Sequence, residues 1–230
     1  MSPRRSNAER SESTKAQLVR AARQLFGERG YAATTIAEVA GSAGLTTGAL
    51  YHHWSGKEAL LVDVVHDIHR ELAVRIRSAG AARGVEGARD VEGARDVEGA
   101  RDVEGARDVE DEPVSVLLRS GLQFLGFCAD PAVARLLLLD APAVLGYERW
   151  RRIDEQWWLS STIRLVERAR PARGGPGLDA AGMDAAGCRR LALALLGALT
   201  YLGHEVAMTG AGTVVGAGRT YEVLLRSLLC

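Results

Sequence analysis

The sequence predicts an all-α protein with an N-terminal three-helix domain and a helical C-terminal domain. Three observations predict it. Apolar residues recur at three- and four-residue spacing along most of the chain. Capping signatures stand at the heads of those stretches. No stretch alternates apolar and polar residues as a half-buried strand would.

Leu18, Ala22, Leu25 and Phe26 lie at helical spacing within residues 14–29, and Gly30 follows as a stop, which defines a first helix. "TIAE" is then a capping box, in which Thr35 accepts from the amide of Glu38 while the Glu38 side chain reaches back. A short second helix runs to about residue 43 and stops at Gly44. Thr46 caps a third through "TTGALYHH", and Ser55 with Glu58 forms a second capping box ahead of a fourth. That fourth helix carries Leu60, Val64, Ile68, Leu72 and Ile76 in four-residue steps, a stripe that fades in "SAGAARG".

Where the stripe ends, "VEGARD" is written four times, residues 85–108. Six helical steps turn the chain by about 600°, so successive valines cannot share an apolar face. As a strand, the valine face would also carry only glycine and arginine, too little to pack. The segment is expected to be a solvated, largely disordered insert.

After Pro113 the apolar pattern returns, with Leu118, Leu122 and Leu125 predicting a helix to about residue 128. "DPAVARLLLLD" predicts a short helix with Asp130 as cap and Pro131 at its first position. Trp150, Ile153, Trp157 and Ser161 line one face of a long helix to about residue 170, which "PARGGPG" breaks. Two last helices, "CRRLALALLGALTYLGHEVAM" and "TYEVLLRSLL", are separated by the glycine-rich "TGAGTVVGAG". Leu191, Leu195, Ala198 and Leu202 in the first, with Val223, Leu224 and Leu228 in the second, form stripes that two copies could close into a four-helix bundle.

The formal net charge is zero, yet residues 85–112 hold 11 acids and 4 arginines, leaving 25 basic against 18 acidic residues elsewhere. Residues 1–33 carry 7 basic residues and 3 acids, so an anionic partner would be met there. No apolar run approaches the roughly 18 residues of a membrane span, and the N-terminus lacks the apolar core of a signal peptide, so a cytoplasmic protein without a membrane partner is expected. Cys128, Cys188 and Cys230 lie far apart and are expected as buried free thiols.

The second and third predicted helices, joined by "GSAGLT", have the size and spacing of a helix-turn-helix, whose second helix enters a major groove. Ala37 and Ala40 are small enough for a close helix crossing, Leu45 and Leu50 can plug the small core, and Gly48 permits close backbone approach. Thr46 and Thr47 stand at the head of the third helix, where the dipole and free amides favour phosphate or base acceptors. Taken alone, the same residues also fit ordinary caps on a small helical bundle.

The stretch "GYAATTIAEVAGSAGLTTGALYHHWSGKEALL", residues 30–61, resembles the DNA-binding region of the tetracycline-repressor (TetR) family of one-component transcriptional regulators. The likeness rests on Gly30-Tyr31, Thr34-Thr35-Ile36-Ala37, Gly48, Leu50-Tyr51, His53 and Lys57-Glu58, with Trp54 where the family usually has phenylalanine. It implies that Thr47, Gly48, Ala49 and His52 face bases, and that Tyr51, His53, Lys57 and the amide end of the second helix at Thr35 grip phosphates. "LLLLDAPAVLGYERW" resembles the ligand-binding domain of one actinobacterial-type branch of the family. There an all-helical domain holds a small effector and the last two helices make a dimer bundle. The repeat departs from the family pattern.

The expected organisation is a helix-turn-helix domain at 1–58, a connecting helix at 59–84, the acidic insert at 85–112 and a ligand-binding and dimerisation domain at 113–230. A homodimeric repressor is implied, released from a palindromic double-stranded operator by a small apolar effector. The alternative is a helical ligand-binding or scaffolding protein that no longer binds DNA. Phe124, Phe127, Tyr147, Trp150, Trp157, Trp158 and His204 are candidates for lining the effector pocket. Asp63, His66 and His69 fall at three-residue steps but offer too few ligands for a metal and are expected on a solvated helix surface. Paired carboxylates, a nucleophile with its base and a cofactor loop are all lacking, so neither an enzyme nor a cofactor is expected.

Overall fold

A computed structural model describes residues 7–84, 112–169 and 184–229, and these residues are helical with no strand among them. Residues 85–111, which include the whole repeat, lie outside the described residues, as does Cys230. The chain divides into two compact units, Met1–His69 with Pro131–Trp150, and Arg70–Asp130 with Arg151–Cys230. The sequence boundaries place residues 131–150 with the C-terminal domain, whereas their packing groups them with the first unit.

In the first unit, helix α1 (Asn7–Arg29) begins well before the predicted start and buries Leu18, Ala22, Leu25 and Phe26. Gly30 ends it at φ +89°, a conformation that suits glycine, and its amide donates to the Phe26 carbonyl at 2.8 Å. Helix α2 (Ile36–Ser42) opens on the Thr35/Glu38 capping box. Its end is a Schellman motif, with the Leu45 amide donating to the Ala40 carbonyl at 2.9 Å and the Gly44 amide to the Gly41 carbonyl at 3.0 Å around Gly44 at φ +67°. Helix α3 (Thr47–His53) is capped by Thr46, whose hydroxyl accepts from the Ala49 amide.

Val39, Ala40 and Leu50 are buried between these short helices. Ala37 is exposed and Leu45 only half-buried, so the expected close crossing belongs to Ala40 alone. Helix α4 (Lys57–Gly84) buries Leu60, Val64, Ile68 and Leu72 as the stripe predicts. Its first hydrogen bond runs from the Leu60 amide to the Gly56 carbonyl, so Gly56 and not Ser55 holds the cap position, and Glu58 instead receives Arg149. His69 is 1% exposed, which overturns its expected place on a solvated surface.

Residues 131–150 pass through α6 (Pro131–Ala134), a π-helical turn (Arg135–Asp140), α7 (Ala141–Leu145) and the start of α8 (Tyr147–Ala169). Pro142 explains the wide turn. It has no amide to give the Leu138 carbonyl, and the ladder shifts so that the Ala141 amide donates to Leu136. Asp140 accepts from the Tyr31 amide at 3.0 Å, and a Cβ on Gly27 would stand 2.8 Å from the Ala132 Cβ, which shows how closely this segment packs on α1.

The second unit is built on α5 (Pro113–Cys128), α9 (Ala185–Thr209) and α10 (Val214–Leu229), with the later parts of α4 and α8. The buried face of α5 runs through Val114, Leu117, Gly121, Leu125 and Cys128, and Leu122 is 40% exposed. On α8 the buried line after Ile153 is Leu159, Thr162 and Val166, with Trp157 and Ser161 only half-buried. Helix α10 starts six residues before the predicted one, inside the glycine-rich stretch, because Gly218 and Ala217 are small enough to pack in its buried face.

A Cβ on Gly121 would run into the Tyr221 ring, and one on Gly203 would stand 2.9 Å from Phe124. These glycines set how closely α5 approaches α10 and α9. Leu195 is 1% exposed, packed in one core with Cys188, Ala192, Tyr221 and Leu225, so it does not belong to a free stripe. Cys128 and Cys188 are buried free thiols, and burial pushes the Cys128 thiol up to about 12.

Candidate functional site

The candidate nucleic-acid interface is built on α2, α3 and the turns around them. Thr35, Thr46, Thr47, Gly48, Tyr51 and His52 are exposed, and Ala49, His53 and Lys57 are half-buried. Thr46 and Thr35 are both occupied as caps. The Thr35 amide and hydroxyl each donate to Glu38 at 2.8 Å, which holds the Glu38 carboxyl below its ordinary value, and Arg29 pairs with the other Glu38 oxygen at 3.1 Å. Tyr51, 57% exposed, projects its ring from the second turn of α3. The ring of His53 lies 5.4 Å from those of His52 and Trp54.

Lys57 is placed differently from its expected role. Its ammonium donates to the Tyr31 and Thr34 carbonyls, both at 2.9 Å, and stands 4.2 Å from the centre of the Tyr31 ring. Two of its three protons therefore hold the turn that delivers Thr35 to the head of α2. Trp54, at the end of α3, is buried and donates its indole N–H to Asp63 at 3.0 Å, where Lys15 also pairs. Asp63 is thus an anchor for α3 and α1, and no His/Cys/Asp/Glu cluster fit for a metal occurs among the described residues.

The second unit holds a half-open cavity, with about 430 Å³ of empty space when its open mouth is counted, lined by Leu72, Ile76, Ser120, Phe124, Asp154, Trp158, Thr162, Leu196, Leu199 and Thr200. Of the seven expected pocket residues only Phe124 and Trp158 line it. Phe127 is buried beneath the Arg75 guanidinium, 4.6 Å from its ring centre. Trp150 packs in the first unit with its indole N–H donating to the Leu137 carbonyl, and Tyr147 is 67% exposed. Trp157 lies outside the lining with its ring tilted against that of Trp158, centroids 6.3 Å apart, and His204 Nδ1 is held 2.8 Å from the Thr200 carbonyl.

Asp154 is the lining residue with most chemistry, and the sequence reading passed over it. It stands four residues before Trp158 and eight before Thr162, on the same face of α8, and that spacing is the signal that would have found it.

A short capped helix held proud by a turn, in a chain whose second unit is all-helical and holds a partly open cavity, defines a helix-turn-helix regulatory protein. The family of bacterial regulatory proteins designated tetR matches residues 18–64, and the tetracyclin repressor-like C-terminal domain matches residues 114–217. The chain belongs to the TetR family.

Among its relatives, the HTH-type transcriptional regulator TtgR of Pseudomonas putida is 42% identical over 72 residues, 30% of this chain and 34% of that protein. The HTH-type transcriptional repressor KstR2 of Mycolicibacterium smegmatis is 41% identical over 51 residues, 22% of this chain and 25% of that one. The match spans about a third or less of the length of these relatives. A TetR-family regulator from Pectobacterium atrosepticum superposes with a TM-score of 0.65 at 27% identity, covering 98% of both chains. The fatty acid degradation regulator FadR of Bacillus halodurans shares the fold, with a TM-score of 0.59 at 14% identity over 97% of this chain and 96% of that one.

Proposed function

We propose that this protein is a homodimeric, ligand-responsive transcriptional repressor. It binds a near-palindromic double-stranded operator through α2 and α3 and leaves it when a small, mostly apolar effector occupies the cavity of the second unit. The observation that carries the reading is α3 itself. It is fixed from below by Leu50 and Trp54 and capped by Thr46, and it presents Thr47, Gly48, Tyr51 and His52 to solvent. A helix so short has no packing reason to expose a tyrosine and a run of small polar residues, and those side chains suit base edges and phosphates.

In this reading Thr47, Gly48, Ala49 and His52 meet bases, while Tyr51, His53 and the head of α2 meet phosphates. Lys57 acts one step back, by bracing the turn ahead of Thr35. A dimer is supported by α9, whose 18-residue apolar window reaches a mean hydropathy of 1.5 yet is only 28% buried within the protomer. Such a helix is long and apolar enough to cross a membrane by length and composition, contrary to the sequence expectation that no stretch would be. Its Arg190 and Glu205, exposed on the face that also carries Tyr201 and Met208, fit a contact between two copies better than lipid.

The test is a mobility-shift assay on the DNA upstream of the protein's own gene. A specific shift is expected, and Thr47→Ala should change the preference among operator variants. Absence of any specific complex, on this DNA and on fragments selected from a random pool, would leave the helical ligand-binding or scaffolding protein as the better reading.

A further inference from the structure

The cavity lining is chemically one-sided. The Thr162 hydroxyl donates to the Trp158 carbonyl at 2.9 Å and the Thr200 hydroxyl to the Leu196 carbonyl at 3.0 Å, so both protons are committed within their own helices and only oxygen lone pairs remain. Asp154 adds a carboxyl group, and no lysine, arginine or histidine lines the space. Ser120 adds a hydroxyl and Trp158 an indole N–H to the lining. A ligand that brings acceptors would meet few donors, chiefly Ser120 and the Asp154 carboxyl while it is protonated, whereas one that brings N–H donors would find several oxygens.

The neighbouring acid shows what Asp154 lacks. Glu155 meets Arg151 at 2.6 Å and Arg189 at 3.9 Å, while no basic side chain pairs with Asp154 among the described residues. From α4, α5 and α9 the cavity presents only uncharged side chains, so the nearby Glu155 is the charge that Asp154 feels. Burial, and then Glu155, raise the Asp154 carboxyl from 3.8 to about 7. A carboxylate held in an apolar cavity without a cation gains more from one than a solvated carboxylate would, because less water screens the pair.

We propose that the effector of this cavity is a hydrophobic amine, its apolar body lying against Phe124, Trp158 and Leu199 and its protonated nitrogen pairing with Asp154. The oxygens of Thr162 and Thr200 accept the remaining N–H bonds, and the two rings offer their faces to the cation. The inference rests on reading this cavity as the effector site. It adds the sign of the ligand's charge.

Three probes with one tail and different heads separate the possibilities: decylamine, decanol and decanoate. Binding to the full-length protein at about pH 8, where the amine is protonated, is followed by calorimetry and by tryptophan fluorescence. Decylamine should bind about tenfold or more tighter than decanol, and decanoate most weakly. In Asp154→Asn, which keeps the side-chain volume, the affinity ratio of decylamine to decanol should fall to about one. Thr200→Val should lower the same ratio by a few-fold while leaving the charge in place.

A preference for decanoate, or a decylamine preference that survives Asp154→Asn, overturns the amine inference and leaves the effector cavity standing. Failure of all three probes to bind, together with operator binding that neither the probes nor a space-filling Leu199→Trp substitution changes, overturns the effector reading itself.

Discussion

Replacing Lys57 by alanine separates two physical accounts of one residue. If the ammonium serves a DNA phosphate, its loss weakens binding to every sequence and lowers the salt slope by about one contact, with folding untouched. The structure predicts another outcome. Two hydrogen bonds of 2.9 Å from a charged donor, plus the Tyr31 ring at 4.2 Å, are lost together. A bond from a charged donor is worth about 1.5–3 kcal/mol when buried, and the lower end applies to this half-exposed site where water can replace the donor. The two bonds are not independent, so the expected loss is about 2 kcal/mol of stability, lower with Lys57→Arg, which keeps the charge but not the geometry. Operator affinity should also fall, because the turn that presents Thr35 is no longer held. The salt slope should stay close to that of the wild type. Urea unfolding and binding titrations across salt concentration measure both quantities. A variant of unchanged stability whose salt slope drops by one would refute the bracing role and restore the phosphate contact.

The unpaired carboxyl predicts a pH-dependent gain in Asp154→Asn. Because its value is raised on folding, from 3.8 to about 7, the folded state keeps a proton that the unfolded chain has released. The cost is absent below about pH 4, grows as pH rises to about 7 and is complete above it, on the order of 2–4 kcal/mol. Urea midpoints of wild type and variant should converge in acid and part above neutrality, and a gap independent of pH would contradict the assignment. Gly121→Ala should cost about 1–3 kcal/mol, since Tyr221 is 1% exposed and cannot yield, and a thermal melt would register it. Tyr201→Glu combined with Val223→Glu should give folded monomers in sedimentation, because both side chains are exposed within the protomer. Leu195→Glu should instead lose helix content by circular dichroism, since that leucine lies in the protomer's core.

What the sequence made legible was local. The Thr35/Glu38 box, the Thr46 cap and the stop at Gly44 each depend on residues within five positions of one another, and all three stand in the structure as read. The stripe of α4 was legible too, because one long helix repeats the same four-residue step. The errors begin where a helix is buried by something distant. Counting large apolar residues on α5 chooses Leu118, Leu122 and Leu125, of which Leu125 is buried, Leu118 packs at the edge of the core and Leu122 is 40% exposed. The helix turns Gly121 to its neighbour because Tyr221 occupies the space that a side chain there would need. The same reasoning puts Leu195 at an interface, whereas it packs in the protomer's core. Periodicity reports that a face is apolar and says nothing of which helix covers it.

The cavity was misread for a related reason. Seven rings in the sequence suit such a lining and five do not reach it, among them Trp150, which anchors the first unit through Leu137. Asp154 does not stand out in the sequence because "RRIDEQWW" is rich in charge, and in such a run one acid looks like any other. Its neighbour Glu155, one residue on and so turned by about 100° around the helix, meets two arginines, and Asp154 meets the cavity. A single step along the chain separates an acid compensated by arginines from one that faces a cavity without a cation, and only the packing of α4, α5 and α9 against α8 decides which is which.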